Sequence, residues 1–344
     1  MTAVFQAVPG GVAGVGGLGS HVRTRLYENG VCVARDFPVA EISAHLTDPA
    51  VVVWLDLCRP TAADFEMVDT QFGLHELAIE DALHESQRPK LDRYATHLFI
   101  SAYAVKIESP GVRLRTSEIA VFLTDQALIT VRKDEGFDMA PVLARWDSSA
   151  DLASHGVAFL LHGLLDHIVD GHFRAVGQLD EGIERLEELL FGERRAQVQA
   201  VQRRSFELRR DLVVLRRVVL PMREVLNSLL RRDLHVVDEV MTPYYQDVYD
   251  HVLRVTEWTE SLRDLVATTV ETNLTIQANQ MNLIMKKVTS WAAIIAVPTA
   301  VTGFYGQNLP YPGFGSQWGV LASTALIAAL SAGLYGVFKR KDWL

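Results

Sequence analysis

The sequence predicts an α+β membrane protein: an N-terminal cytoplasmic α/β domain, a long helical stalk and two C-terminal transmembrane helices. Three observations carry this. Residues 288–305 and 318–338 contain no charged side chain, and each run is long enough to cross a hydrocarbon core of ~30 Å as a helix. No glycine occurs between Glu193 and Thr302, and the only prolines there are Pro221, Pro243 and Pro298, so helix can run with few interruptions. The first half instead offers short segments rich in β-branched and aromatic residues, the pattern of strands.

Composition bounds the function. The chain has 344 residues, 49% hydrophobic and 22% charged, which allows a folded core plus a membrane part. A net charge of −9 argues against nucleic acid as a partner, because a phosphate backbone needs a basic surface. It suits a soluble region that meets cations. The two cysteines, Cys32 and Cys58, have no metal-ligand spacing and fit a reducing compartment.

Residues 1–20 carry no secretory signal pattern. Pro9 to Ser20 is glycine-rich, and Gly14-Val15-Gly16-Gly17-Leu18-Gly19 formally matches a dinucleotide fingerprint. No strand precedes it and no good helix follows, so a flexible tail is the better reading. Residues 21–150 form the expected α/β domain. Val51–Leu55, His97–Val105, Ile119–Leu123 and Ala127–Val131 read as strands, and Gly73–Ala82 and Ala140–Trp146 as helices. Residues 151–287 form the expected helical region. Leu152–Leu190 and Arg194–Leu234 read as a helical hairpin turning near Gly192, with Pro221 kinking or interrupting its second arm. Pro243, with Thr242 as N-cap, starts the stalk helix. From Tyr244 to Tyr305 that helix would measure roughly 90 Å at 1.5 Å per residue. Its stretch Thr268–Asn282 is polar and nearly uncharged. Such a helix is unstable alone and should pack against copies of itself.

Residues 288–306 are the expected first span, 307–317 the external loop, 318–338 the second span and 339–344 a basic C-terminus. Lys286 and Lys287 precede the first span, and Lys339, Arg340 and Lys341 follow the second, while the loop between has neither Lys nor Arg. Basic flanks stay in the cytoplasm, so the expectation is a multi-pass protein of the inner or plasma membrane, in contact with lipid, with both termini inside.

No catalytic constellation stands out. The chain lacks a phosphate-binding loop, a zinc-protease helix (His75-Glu76 has no second histidine), a paired-cysteine motif and a nucleophile elbow. An enzyme is therefore not expected. On the first span, steps of three or four place Asn282, Met285, Val288 or Thr289, Ala292, Ala296, Thr299 and Gly303 along one face, with Trp291, Ile294, Ile295 and Val301 mostly away from it. A small, weakly polar stripe can line a pore or serve close helix packing. Two spans cannot enclose a pore alone, so transport needs an oligomer. Asn282 and Asn308, an amide at each end, favour the pore. Pro298 leaves the carbonyl of Ile294 without its usual donor, a point where the helix can bend. Upstream, His162, Asp166 and Asp170 follow an i, i+4, i+8 spacing that can hold a metal or form a satisfied helix surface.

The run Asn282-Leu283-Ile284-Met285-Lys286-Lys287-Val288-Thr289, then Pro298-Thr299, then Gly303-Phe304-Tyr305-Gly306-Gln307-Asn308, resembles the first span of the CorA family of divalent-cation channels. The family's hallmark is Gly-Met-Asn at the outer end of that span. The ending Phe338-Lys339-Arg340-Lys341-Asp342-Trp343-Leu344 is also similar. So are Ile79-Glu80-Asp81, Gln87-Arg88-Pro89-Lys90 and Asp247-Val248-Tyr249-Asp250-His251. The resemblance covers nearly the whole chain after the tail.

The resemblance implies a homopentamer whose cytoplasmic funnel joins an α/β domain to long helices, one per subunit continuing as the pore-lining span. It implies an outer selectivity filter of Gly306, Gln307 and Asn308, with Asn308 forming the ring and Gly306 allowing the turn. Thr299, Val288, Met285 and Asn282 line the pore, Met285 and Val288 forming a constriction able to gate by dewetting. Mg2+ is the implied substrate and regulatory ligand, with Co2+ or Zn2+ also possible. Neutral amides suit an ion that sheds its waters reluctantly. Asp81 and Asp247, with Glu80 nearby, match the family's inter-subunit regulatory cation site, and Asp170 matches a second site loosely.

Two departures bear on the ion. Gln307 stands where the family usually has methionine, and Leu309 to Gln317 lacks an acidic residue that would concentrate cations. A zinc transporter, with or without proton coupling, is the nearest alternative. A membrane-anchored cation sensor that does not conduct is another.

Overall fold

The computed structural model describes residues 21–84, 88–108, 113–191, 198–307, 310 and 313–344. The glycine-rich tail, Gln87, the hairpin turn near Gly192 and Asn308 lie outside these residues. Contacts divide the chain into two compact units, Met1–Val266 and Ala267–Leu344.

The first unit is built on one sheet. Strands β1 (His21–Glu28), β2 (Val31–Arg35), β3 (Val51–Cys58), β4 (Lys90–Arg93), β5 (Leu98–Glu108), β6 (Arg113–Leu123) and β7 (Ala127–Arg132) lie in the order β2-β1-β3-β7-β6-β5-β4. Among the described residues only β3 and β7 pair in parallel. Central β3, Val-Val-Val-Trp-Leu-Asp-Leu-Cys, is a nearly continuous apolar run because both faces are covered. Its Trp54 faces one core, with Trp146 and Phe159. Its Val53, Leu55 and Leu57 face the other, with Ile42, Phe65 and Val68. Fully burying each such side chain contributes about 1.5–3 kcal/mol.

The polar exception in β3 is Asp56, which is fully buried. It accepts from Thr130 Oγ1 at 2.7 Å and from Arg132 Nε at 3.0 Å on neighbouring β7. Arg132 Nη1 also donates to the Phe137 carbonyl at 2.9 Å. A buried pair of this kind holds register: removing one partner leaves the other charge buried and unpaired.

Helices α1 (Ile42–His45), α2 (Ala62–Phe72) and α3 (Glu76–Leu83) cover the second face. Here the sequence expectation needs correcting. The helix expected at Gly73–Ala82 begins at Glu76, with His75 accepting from Leu77 N. Gly73 terminates α2 instead, at φ 58° in the left-handed region that glycine adopts without strain. Helix α2, with its Thr61–Asp64 capping box, and strands β1, β2 and β4 were not anticipated.

On the other face lie α4 (Ala140–Ser148), α5 (Ala150–Ala153) and the long α6 (Val157–Phe191) and α7 (Val198–Leu229). Helix α7 continues through Pro221 rather than ending there. Helix α8 spans Thr242–Tyr305, 64 residues, or about 96 Å at 1.5 Å per residue. Its capping side chain is Asp238, not Thr242. The Asp238 carboxylate accepts from Met241 N at 2.7 Å, and its carbonyl accepts from Thr242 N and Thr242 Oγ1. Tyr245, fully buried, donates to the Ala158 carbonyl of α6 at 2.9 Å, tying α8's first turns to the core.

The second unit holds the rest of α8 and α9 (Gln317–Arg340). Both helices contain a stretch long and apolar enough to cross a membrane, and only 6% and 0% of those stretches is buried. That exposure separates them from the core helices of a soluble fold.

Candidate functional site

Three groups of candidate residues can be followed from sequence to geometry. The first is the stripe on α8. Asn282, Met285, Val288, Ala292, Ala296, Thr299 and Gly303 are all exposed. The face that is covered or partly covered is a different one: Ser290, Ile294, Val297, Pro298, Val301 and Tyr305. On α9 the partly covered residues are Gly319, Ser323, Ile327, Ser331, Leu334 and Phe338, small at several positions as close helix packing favours. A cleft of about 520 Å3 is lined by Thr302, Tyr305 and Gly306 together with Gly319 and Ser323. The weakly polar stripe is thus not the face the second helix uses. Thr299 Oγ1 donates to the Ile295 carbonyl, leaving the hydroxyl on the helix rather than at the Ile294 carbonyl opposite Pro298.

Helix α8 ends where the filter motif begins. Gly306 N donates to the Thr302 carbonyl at 2.8 Å, the last helical bond, and Gln307 N reaches the Phe304 carbonyl at 3.3 Å. Gly306 does not have a positive φ. A Cβ there would lie 3.0 Å from the Thr302 carbonyl oxygen, a tight contact that the helix end would have to relieve by a few tenths of an ångström. Gly306 and Gln307 are exposed.

The second group lies at the end of α3. Glu80 is exposed and Asp81 partly covered. Asp81 Oδ2 lies 2.6 Å from Lys90 Nζ, which also lies 2.8 Å from Asp92 Oδ2. A shallow cavity of about 450 Å3 is lined by Leu77, Glu80, Asp81, Lys90, Asp92 and Tyr94. Burial works against the Lys90 ammonium, but its bonds to Asp81 and Asp92 prevail and hold its pKa above the ordinary lysine value. Asp247, on the second turn of α8, is 68% exposed, and its Oδ1 lies 3.9 Å from His251 Nε2 one turn on. Within one chain the two carboxylates therefore have separate neighbours. The lysine ammonium on Asp81 marks a carboxylate that attracts a cation. Glu80, Asp81 and Asp247 each offer carboxylate oxygens, the donor type that Mg2+ takes.

The third group divides the His162, Asp166, Asp170 series between the two alternatives the sequence left open. Asp166 and Asp170 of α6 converge with His251 of α8, one donor atom from each lying within 4.8 Å of the others. His162 is buried instead against the rings of Tyr244 and Tyr245, and burial pushes its pKa down. Asp166 also pairs with Arg145. Burial, then the Asp166 charge, raise the Asp170 carboxyl above the ordinary range. His251 Nδ1 is buried without a hydrogen-bond partner among the described residues. Two carboxylates and an imidazole suit Co2+ or Zn2+ better than Mg2+. Sequence spacing missed His251, Arg145 and Lys90. The one available signal was His251's position four residues after Asp247, on the same face of α8.

A family model described as a CorA-like Mg2+ transporter protein matches residues 49–340. The chain belongs to the CorA family. It is 29% identical to the cobalt/magnesium transport protein CorA of Thermotoga maritima, covering 90% of this chain and 89% of that one. It is 31% identical to the putative metal ion transporter YfjQ of Bacillus subtilis, covering 84% and 89%. A further relative, the zinc transport protein ZntB of Yersinia enterocolitica, is 23% identical over 79% of this chain and 81% of its own. The fold matches the complete structure of the CorA magnesium transporter from Methanocaldococcus jannaschii, with a TM-score of 0.71 at 22% identity, covering 85% of this chain and 92% of the other. This protein is accordingly a CorA-family divalent-cation transporter of the membrane, and its family's work is ion transport rather than enzymatic catalysis.

Proposed function

We propose that the chain is a channel-type transporter of Mg2+, with Co2+ as a second substrate, assembled as a homopentamer around the exposed stripe of α8. The observation that carries this reading is that stripe: Asn282 to Gly303 is small, weakly polar and turned away from the covered face of the helix, and it runs into Gly306-Gln307-Asn308. Exposed Trp291 and Ile295 would meet lipid, and the termini would lie in the cytoplasm. Neutral amides at the outer end hydrogen-bond the water shell of an ion that dehydrates reluctantly, gripping it weakly enough to release it. Met285 and Val288 form the apolar constriction that closes by dewetting. The membrane potential supplies roughly 4.6 kcal/mol per divalent ion per 100 mV, so inward flow needs no coupled reaction. Cytoplasmic Mg2+ bound between Asp81 and Glu80 of one subunit and Asp247 of the next holds the funnel closed, and its loss loosens it. Asp170 contributes to a second cation site.

The kinship with a zinc transport protein and the replacement of the usual filter methionine by Gln307 favour a second reading, Zn2+ transport with proton coupling. Ion-by-ion flux into liposomes decides between them. Mg2+ uptake driven by potential alone is expected. Zn2+ flux that requires a pH gradient would replace the first reading with the second, and no flux of any divalent ion would leave a cation sensor.

A further inference from the structure

We propose that Lys90 is a tethered competitor for the regulatory cation, setting the concentration at which the Asp81 site fills. The inference rests on reading Asp81 as a ligand of that cation. Its own observation is the sharing of one ammonium between two carboxylates, 2.6 Å from Asp81 and 2.8 Å from Asp92.

An exposed surface pair contributes little and holds no fixed geometry. Lys90 differs in four respects. Strand β4 presents it in register, with Lys90 opposite Ser101 of β5. The alternation of a strand puts Lys90 and Asp92 on one face, so Asp92 steadies the ammonium beside α3. The ammonium also lies 5.7 Å from the centre of the Phe99 ring. The Lys90 and Asp81 side chains are only 30% and 22% exposed, so water screens the pair less than it would at an open surface.

A divalent ion approaching Asp81 must displace this ammonium or sit beside it. Displacement breaks a charge-assisted hydrogen bond. Sitting beside it sets two positive charges against one at a few ångströms. Either way the ammonium weakens the site, so the site answers to abundant cation rather than to traces. Removing the ammonium strengthens divalent binding about tenfold.

The test uses the full-length protein in detergent and limited chymotrypsin digestion of the stalk across a Mg2+ series, the midpoint of protection being the readout. Lys90→Met is expected to lower the midpoint about tenfold, and Lys90→Arg, which keeps the charge, to leave it within about threefold of wild type. If Lys90→Met does not fold, judged by elution position and thermal unfolding without divalent cation, Lys90→Gln takes its place. A Lys90→Met midpoint equal to or above wild type overturns the inference. Asp81→Asn separates the two layers of the argument. Lost protection in Asp81→Asn with an unshifted Lys90→Met midpoint removes only the role of Lys90. Wild-type protection in Asp81→Asn removes the regulatory reading beneath it.

Discussion

His155 Nδ1 lies 2.6 Å from the Asp238 carboxylate, the same carboxylate that accepts Met241 N at the start of α8. The long helix therefore begins at a capped and paired residue rather than at a frayed end. Burial alone would raise the Asp238 pKa, but the Met241 N–H and the His155 bond and charge hold it below the ordinary carboxylate value. A depressed folded pKa contributes stability that is present above the unfolded value, ~3.9, and is lost as pH falls through the folded one. Asp238→Ala is expected to destabilise the first unit by about 1 kcal/mol. Thermal unfolding at pH 7 checks this, and the difference from wild type should shrink once the pH falls below the folded pKa of Asp238.

His172 of α6 gives a pH dependence of the same sign in a higher window. Burial pushes its pKa down to about 4, against the bond of its Nε2 to the Tyr103 carbonyl at 2.8 Å. The unfolded chain takes up this proton near pH ~6.5 and the folded one only near 4, so stability is full above ~6.5 and falls as pH drops between the two values. The loss is on the order of 3 kcal/mol. Denaturant unfolding measured from pH 7.5 to 4.5 should show this slope, and His172→Gln should flatten it.

The convergence of Asp166, Asp170 and His251 gives an ion-specific expectation. Co2+ should raise the melting temperature of the full chain more than Mg2+ does at equal concentration, since an imidazole donor favours the transition metal. His251→Ala should remove that excess and leave the Mg2+ response. Asp170→Asn should weaken Co2+ binding about tenfold. A Co2+ shift unchanged in both variants would show that the ion sits elsewhere.

Asp247 is expected to matter through a neighbouring subunit, because in its own chain its carboxylate is largely exposed and its near neighbour is His251. Asp247→Lys should abolish most Mg2+-dependent protection of the stalk from proteolysis while leaving the fold intact, as an exposed substitution usually costs within about 0.5 kcal/mol. Unchanged protection would remove Asp247 from the regulatory site.

How legible these features were depends on their range. The two apolar spans and the uninterrupted α8 are properties of consecutive residues, and the runs without charge and without glycine exposed them directly. The α2–α3 break was legible in principle, because Gly73 followed by His75 ends one helix and caps the next, but the apolar pattern runs across it. Strand β4 was missed because Lys-Leu-Asp-Arg carries too little apolar signal and is stabilised by pairing with β5. The same limit hid Lys90, whose importance comes from an aspartate on another element. His162 illustrates the converse. Its spacing to Asp166 is right for a ligand, yet packing turned it into the tyrosines and put His251 beside the carboxylates instead.

Asn308 carries the last expectation, and it is the one on which transport turns. Helix α8 brings its exposed stripe to Gly306, whose N–H donates to the Thr302 carbonyl, and Gln307 and Asn308 follow in the sequence. No charged residue lies between Gly306 and Gln317, so under the proposed function amides would do at a pore mouth what carboxylates do elsewhere. Each amide that holds an ion's water contributes about 0.5–1.5 kcal/mol, and a ring of them acts together. Asn308→Ala should therefore reduce divalent flux into liposomes at least about tenfold and fail to rescue transport-deficient cells starved of Mg2+. Gln307→Met, which restores the family's usual residue, should keep Mg2+ flux. If Asn308→Ala conducts as wild type does, the filter is not where the sequence places it, and the exposed stripe of α8 must then be read as a packing face between subunits.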